Sequence, residues 1–259
     1  MRRLLIVGNW KMNLNVSQAS QLIHQLQTRI KTQRNVEIVI APSMLVLQPL
    51  SLQIDRRRFR LAAQNAYFID EGAYTGEVSF AMLRDLVHYV IIGHSERRLY
   101  FNETLEIVRD KVAAAVRNDI TPILCVGENK QERQAGESKQ VIHDQLTTAL
   151  SNLTSTDIET IVIAYEPVWA ISTFDGEIAK PDDIAKMIDF IRQQITDLYG
   201  QTSAQSVRVL YGGSVDDQIV SGYLSLKGCD GILVGGASLN YFKFAEIVAI
   251  AERLQTRKI

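Results

Sequence analysis

Along the chain, short runs of consecutive apolar and often β-branched residues alternate with longer segments whose apolar positions recur every three or four residues. The runs fall at residues 4–7, 36–41, 60–63, 89–92, 121–126, 161–165, 207–211 and 231–234. Near-continuous Val/Ile/Leu runs are the mark of strands buried on both faces, where neither side alternates with water-facing residues. The amphipathic segments fall at 17–31, 44–52, 80–86, 105–117, 139–150, 182–199, 216–223 and 244–254. In the longest of them Ile184, Met187, Ile188, Ile191, Ile195 and Leu198 form one helical stripe, and Pro181 suits a first helical turn. Strand and helix signals alternate strictly, at about 32 residues per unit. The pattern predicts an α/β fold, a (β/α)8 barrel forming a single domain over residues 1–259. An open doubly wound sheet alternates in the same way, and periodicity alone leaves it open.

Composition narrows the class without changing that picture. Of the 259 residues, 46% are apolar and 22% charged, and the formal net charge is −1, which excludes a disordered chain. A balanced charge argues against a general nucleic-acid partner, and the basic patch Asp55-Arg56-Arg57-Arg58 is short enough to be a solvated turn. Cys125 and Cys229 are too far apart in sequence for a zinc motif or a disulfide framework, so a reducing compartment is expected. The apolar run at 4–7 is broken by Gly8-Asn9-Trp10-Lys11, too short for a signal peptide, and no stretch approaches a membrane span. The expectation is a soluble, cytoplasmic protein with no membrane partner.

In either architecture ligands sit at the carboxyl ends of the strands, so the residues that follow each run matter most. Titratable groups gather after runs 1, 4 and 6, as Asn9-Trp10-Lys11, Gly93-His94-Ser95-Glu96-Arg97-Arg98 and Glu166-Pro167-Val168-Trp169. Small residues gather after runs 7 and 8, as Gly212-Gly213-Ser214 and Gly235-Gly236-Ala237-Ser238. Two such loops in adjacent units predict a phosphate site in which the backbone N–H groups of Gly213, Ser214, Gly235 and Gly236 approach an anion. Arg97 and Arg98 read as structural, and Cys125 as packed.

These motifs, in this order, resemble the triosephosphate isomerase family. The resemblance rests on Gly8–Asn13, Gly93–Arg98, Ala164–Ile171, Tyr211–Val215 and Val234–Leu239, joined by Ala63-Gln64-Asn65 and the stretches 72–79 and 122–128, and so covers nearly the whole chain. It implies interconversion of dihydroxyacetone phosphate and glyceraldehyde 3-phosphate through an enediolate, in glycolysis and gluconeogenesis, with a sugar phosphate as substrate and no cofactor or metal. By the same resemblance Glu166 matches the base, His94 the electrophile, Lys11 the substrate-binding cation and Asn9 a hydrogen-bonding helper. The resemblance also implies that the imidazole works in its neutral form and that a loop closes over the substrate. A helix beginning near Ser95 would favour a neutral His94, and Glu96 is placed to pair with Lys11. The family is typically homodimeric, and Thr75, in the loop 72–77, would brace the partner subunit's Lys11.

The chain departs from the family after run 6. Where the family has a Gly-Thr-Gly-Lys lid, this chain has Ser172-Thr173-Phe174-Asp175-Gly176-Glu177-Ile178-Ala179-Lys180-Pro181, longer by about two residues. Ser172 stands where the family's first glycine gives its N–H to phosphate, and Phe174, Asp175 and Glu177 appear where a lysine is lost. Altered closure or weaker phosphate binding is the expectation. Isomerisation of a related sugar phosphate, or sugar-phosphate binding without catalysis, are the competing functions. Phe80 replaces a family proline, and the segment 86–89 is shorter than usual.

Overall fold

The computed structural model describes residues 2–31, 33–171 and 177–256. Eight strands close into a parallel barrel in sequence order: β1 (Leu4–Asn9), β2 (Val36–Ala41), β3 (Phe59–Ala63), β4 (Tyr89–Ile92), β5 (Thr121–Val126), β6 (Val162–Tyr165), β7 (Arg208–Tyr211) and β8 (Gly231–Val234). β8 returns to β1 with Leu5 opposite Gly231 and Gly8 opposite Val234, so no strand is left at an edge. The open doubly wound alternative is thereby removed.

Closure explains the continuous apolar runs. Leu5, Val7, Val39, Ala41, Ala62, Ile91, Ile123, Cys125, Val162, Ala164, Leu210 and Leu233 fill the barrel's interior as one cluster. Their neighbours in each strand, such as Leu4, Ile6, Ile38, Ile40, Ile163 and Ile232, face outward and belong to a second cluster with the helices. Both faces are buried, so both must be apolar.

The helices cover the outer face. Pro181–Tyr199 carries Asp182 and Asp183 in its first turn, where the helix dipole favours them, and buries Ile184, Ile188, Ile191 and Ile195. Leu198, expected on the same stripe, is exposed at the helix end. Leu105–Arg117 matches its predicted span and is capped by the Thr104 side chain. The segment expected at 216–223 is helical only over Val220–Leu224. Its front is tied as a turn by Asp216 Oδ1, which accepts from the N–H groups of Gln218 and Ile219. The segment expected at 80–86 is one short turn, Phe80–Leu83, with Ser79 as its cap. Phe80, in place of a proline, is fully buried and takes a core position.

Candidate active site

The carboxyl ends of β1, β4, β6, β7 and β8 open on a cavity of about 450 Å³ lined by Asn9, Lys11, His94, Glu166, Gly212, Gly213, Ser214, Gly235 and Gly236 among others. Eight of the nine residues assigned by sequence to catalysis and binding thus line one cavity, and the supporting residue Glu96 ion-pairs with Lys11 beside them. Ser172 lies outside the described residues, as do Phe174 and Asp175. Thr75 is exposed on its loop, away from this cavity.

Glu166 follows the last residue of β6 and is 1% exposed. Its backbone N–H donates to the Val126 carbonyl at 2.7 Å, which continues the β5–β6 ladder one residue beyond the strand. Its Oε2 accepts from the Ser95 N–H at 3.4 Å, and its Oε1 stands 3.3 Å from His94 Nε2. Gly212 leaves room for it: a Cβ there would come within 2.7 Å of Glu166 Cγ. A buried carboxylate held by one long hydrogen bond beside an imidazole is placed to exchange a proton with a bound molecule.

His94 caps the helix Ser95–Tyr100 with its ring. The Glu96 N–H donates to His94 Nδ1 at 3.2 Å. That bond needs a lone pair on Nδ1, so the ring's proton sits on Nε2, which faces Glu166 and the cavity. The same helix start supplies the Ser95 N–H to Glu166. The helix start expected near Ser95 is found there, and the imidazole just before it serves as its cap.

Lys11 adopts φ of 52°, a left-handed conformation uncommon for a side-chain-bearing residue. Three contacts hold it there. Its N–H donates to Asn9 Oδ1 at 3.0 Å, its carbonyl accepts from Gln64 Nε2 at 2.9 Å, and its Nζ donates to Glu96 Oε1 at 2.5 Å. Strain retained by several supports at a ligand cavity is a recurrent feature of functional sites. Gln64 also donates to the Ala41 carbonyl, which ties β1, β2 and β3 together beneath the lysine.

The glycine loops differ from each other. In the first, a Cβ on Gly213 would fall 2.1 Å from Tyr211 Oη, so only glycine fits. The Ser214 N–H donates to the Ala170 carbonyl at 3.0 Å rather than into the cavity. In the second, Gly236 opens a 3-10 turn, Gly236–Leu239, and the first N–H groups of such a turn have no partner inside it. The first loop, by contrast, is coupled to the segment after β6.

That segment is braced by a residue that sequence reading did not single out. Glu128, 1% exposed, accepts from Trp169 Nε1 at 2.9 Å and from the Tyr165 hydroxyl at 3.1 Å, and its carbonyl accepts from the Val168 N–H. Burial, and then the Glu128 carboxylate, push the Tyr165 hydroxyl well above its ordinary range, so it stays a donor. Arg133 lies over the Trp169 ring at 3.7 Å. Farther along, Glu177 pairs at 3.2 Å with Lys130, and Ile178 lines the cavity. Arg97 ion-pairs with Glu103 and lies over Phe101, the structural role expected of it. No three His, Cys, Asp or Glu side chains converge as a metal-holding group among the described residues.

A closed parallel barrel with an acid–base pair, a cation and an anion cradle on its carboxyl rim is the architecture of a (β/α)8-barrel isomerase. Comparison with known proteins gives the family. A family model described as Triosephosphate isomerase matches residues 4–251. The chain is 45% identical to the triosephosphate isomerase of Caldanaerobacter subterraneus subsp. tengcongensis, over 96% of this chain and 99% of that protein. It is 45% identical to that of Citrifermentans bemidjiense over 97% and 100%, and 40% identical to one from Dehalococcoides mccartyi over 99% and 100%. The chain belongs to the triosephosphate isomerase family.

Proposed function

We propose that this chain interconverts dihydroxyacetone phosphate and D-glyceraldehyde 3-phosphate, acting in glycolysis and gluconeogenesis as one catalytic domain over residues 1–259. The observation that carries the reading is the pairing of buried Glu166 with His94, whose Nδ1 is occupied by the Glu96 N–H. Glu166 takes the proton from the carbon bearing the hydroxyl and returns it to the neighbouring carbon. His94 donates its Nε2 proton in a hydrogen bond to the oxygens as negative charge builds on them, and Lys11 and Asn9 stabilise the same oxygens. The phosphate lies at Gly235 and Gly236, with Gly213 and Ser214 across from them, and Ser172 is the further residue assigned to it. Glu96 orients Lys11.

We infer a homodimer as well. Met12, Leu45, Met82, Tyr100 and Phe101 are exposed on the loops and turns after β1 to β4, which are neighbours around the barrel. Clustered apolar exposure of this kind marks an association surface. Met12 adjoins Lys11 in the chain and Tyr100 is on the helix that carries Glu96, which fits a role for Thr75 in bracing the partner subunit's Lys11. Two free, buried cysteines suit a cytoplasmic location. No described helix is long and apolar enough to cross a membrane.

A coupled assay on three-carbon and four-carbon sugar phosphates, with wild type and Glu166→Gln, tests the activity. Turnover of the triose phosphates that falls by about 10³ or more in the variant supports the proposal. Turnover only of the longer sugar would give the related-isomerase reading. Binding without turnover in both proteins would give the binder.

A further inference from the structure

A second cavity, of about 490 Å³, lies beside the catalytic one and shares none of its lining. Its walls come from the helix Ser95–Tyr100, the helix Lys130–Gln134 with the residues before it, and the turn Val168–Ala170. Two polar groups on those walls are short of protein partners. The Ser95 hydroxyl is buried and has no hydrogen-bond partner among the described residues, and the residue is 3% exposed. The Arg98 guanidinium makes one long bond, 3.4 Å to the Gly127 carbonyl, which already accepts from Gln145 Nε2 at 3.1 Å. Burial lowers the Arg98 pKa from its ordinary value, against the pull of Glu166, Cys125, Glu132 and Glu103. Those charges act without contacting the guanidinium as hydrogen-bond acceptors, so most of its N–H donors remain available. Opposite these donors stand apolar surfaces, Leu99, Val168 and the Trp169 ring, and Lys130 sits at the rim.

We propose that this cavity is a second ligand site that takes a small organic carboxylate with a flat apolar body. A planar guanidinium fork matches a carboxylate with two parallel hydrogen bonds. The apolar body lies against Leu99, Val168 and Trp169. The Glu132 carboxylate, also on the wall, accepts the Asn129 N–H at 2.7 Å in a helix cap and makes no hydrogen bond to the guanidinium among the described residues. The site is coupled to the chemistry by two short links. The Ser95 N–H is the one that holds Glu166, and the Ala170 carbonyl, in the turn that walls the cavity, holds the Ser214 N–H of the phosphate loop. An occupant fixes both, so it lowers turnover without competing for the substrate's place.

Benzoate is the probe. Its binding to the full chain, followed by titration calorimetry with and without saturating inorganic phosphate, stands apart from the isomerase reading; the inhibition pattern rests on it. Expected are a Kd on the order of millimolar, as suits a ligand of this size, and little change when phosphate fills the catalytic cavity. Arg98→Met removes both charge-assisted hydrogen bonds of the fork and weakens binding by about tenfold or more. Leu99→Glu, at an exposed position that does not endanger the fold, does the same by placing a carboxylate at the mouth. Inhibition is mixed, with kcat reduced. No binding, displacement of benzoate by phosphate, purely competitive inhibition, or unchanged affinity in Leu99→Glu would each overturn the proposal.

Discussion

The site is assembled from residues with almost no slack around them. Gly212 faces Glu166 so closely that a methyl group would meet Glu166 Cγ at 2.7 Å. That contact is with the stem of the side chain rather than its flexible end, so Gly212→Ala must shift the carboxylate. A misplacement of about an ångström at the reacting group costs on the order of 10²-fold in rate. Steady-state kinetics on Gly212→Ala should show that loss in kcat, while the circular dichroism spectrum stays that of the barrel. The two thiols give a second residue-scale expectation. Burial raises Cys125, with Glu166 adding to the effect, and burial raises Cys229 to about 11. Neither forms thiolate near neutral pH, so a disulfide-exchange reagent should titrate no thiol in the native protein and two after denaturation. Asn9, Lys11, His94 and Glu166 could be gathered from the sequence because each stands at, or within two residues of, the carboxyl end of a strand. The Ser95 N–H and Gln64 could not, since one acts through its backbone and the other from a loop remote in sequence.

Among elements, the long ones announced themselves and the short ones did not. A helix of nineteen residues such as Pro181–Tyr199 repeats its apolar stripe several times. Ser95–Tyr100 and Val168–Ala170 complete hardly a turn or two, yet they aim His94 and brace the phosphate loop. The residue that fixes the second of these is Glu128, whose carbonyl accepts from the Val168 N–H and whose carboxylate accepts from Trp169 and Tyr165. Glu128→Leu leaves the indole N–H and the phenol hydroxyl buried without acceptors, at about 1–3 kcal/mol each. Thermal melts should show that destabilisation, and kcat should fall as the turn loosens. Glu128→Gln keeps one acceptor oxygen and should recover a large part of both. If Glu128→Leu melts and turns over like wild type, the turn is held by something else.

At the scale of the whole molecule, the barrel's two ends are built on opposite principles. The carboxyl end is open and lined by loops; the amino end is closed from inside by three polar side chains. Glu37 on β2, Tyr89 on β4 and Arg208 on β7 point inward there. The Tyr89 hydroxyl donates to Glu37 Oε1 at 2.6 Å, and Arg208 donates to Glu37 Oε2 at 2.9 Å and to the Tyr89 oxygen at 2.7 Å. The eight strands could be read from the sequence because burial on both faces makes each run apolar. The plug could not, because Glu37 within Val-Glu-Ile-Val-Ile-Ala is an isolated charge until closure sets it opposite Arg208.

The plug ties stability to pH in one direction. Burial alone would raise the Glu37 pKa, but the Tyr89 hydrogen bond and Arg208 together outweigh it and hold the carboxyl below its ordinary range. A carboxyl whose folded pKa lies below its unfolded value of about 4.3 contributes stability that is present above that value. The contribution is lost as pH falls through the folded pKa, because protonation then favours the unfolded chain. Glu37→Gln cannot titrate, and at neutral pH it leaves Arg208 without its anion in a half-buried place. The variant should therefore melt below wild type at pH 7. The gap should narrow steadily as pH falls from about 5 toward 3, where the native glutamate loses its charge too. A gap that stayed constant across that range would mean the plug acts by shape and hydrogen bonding alone.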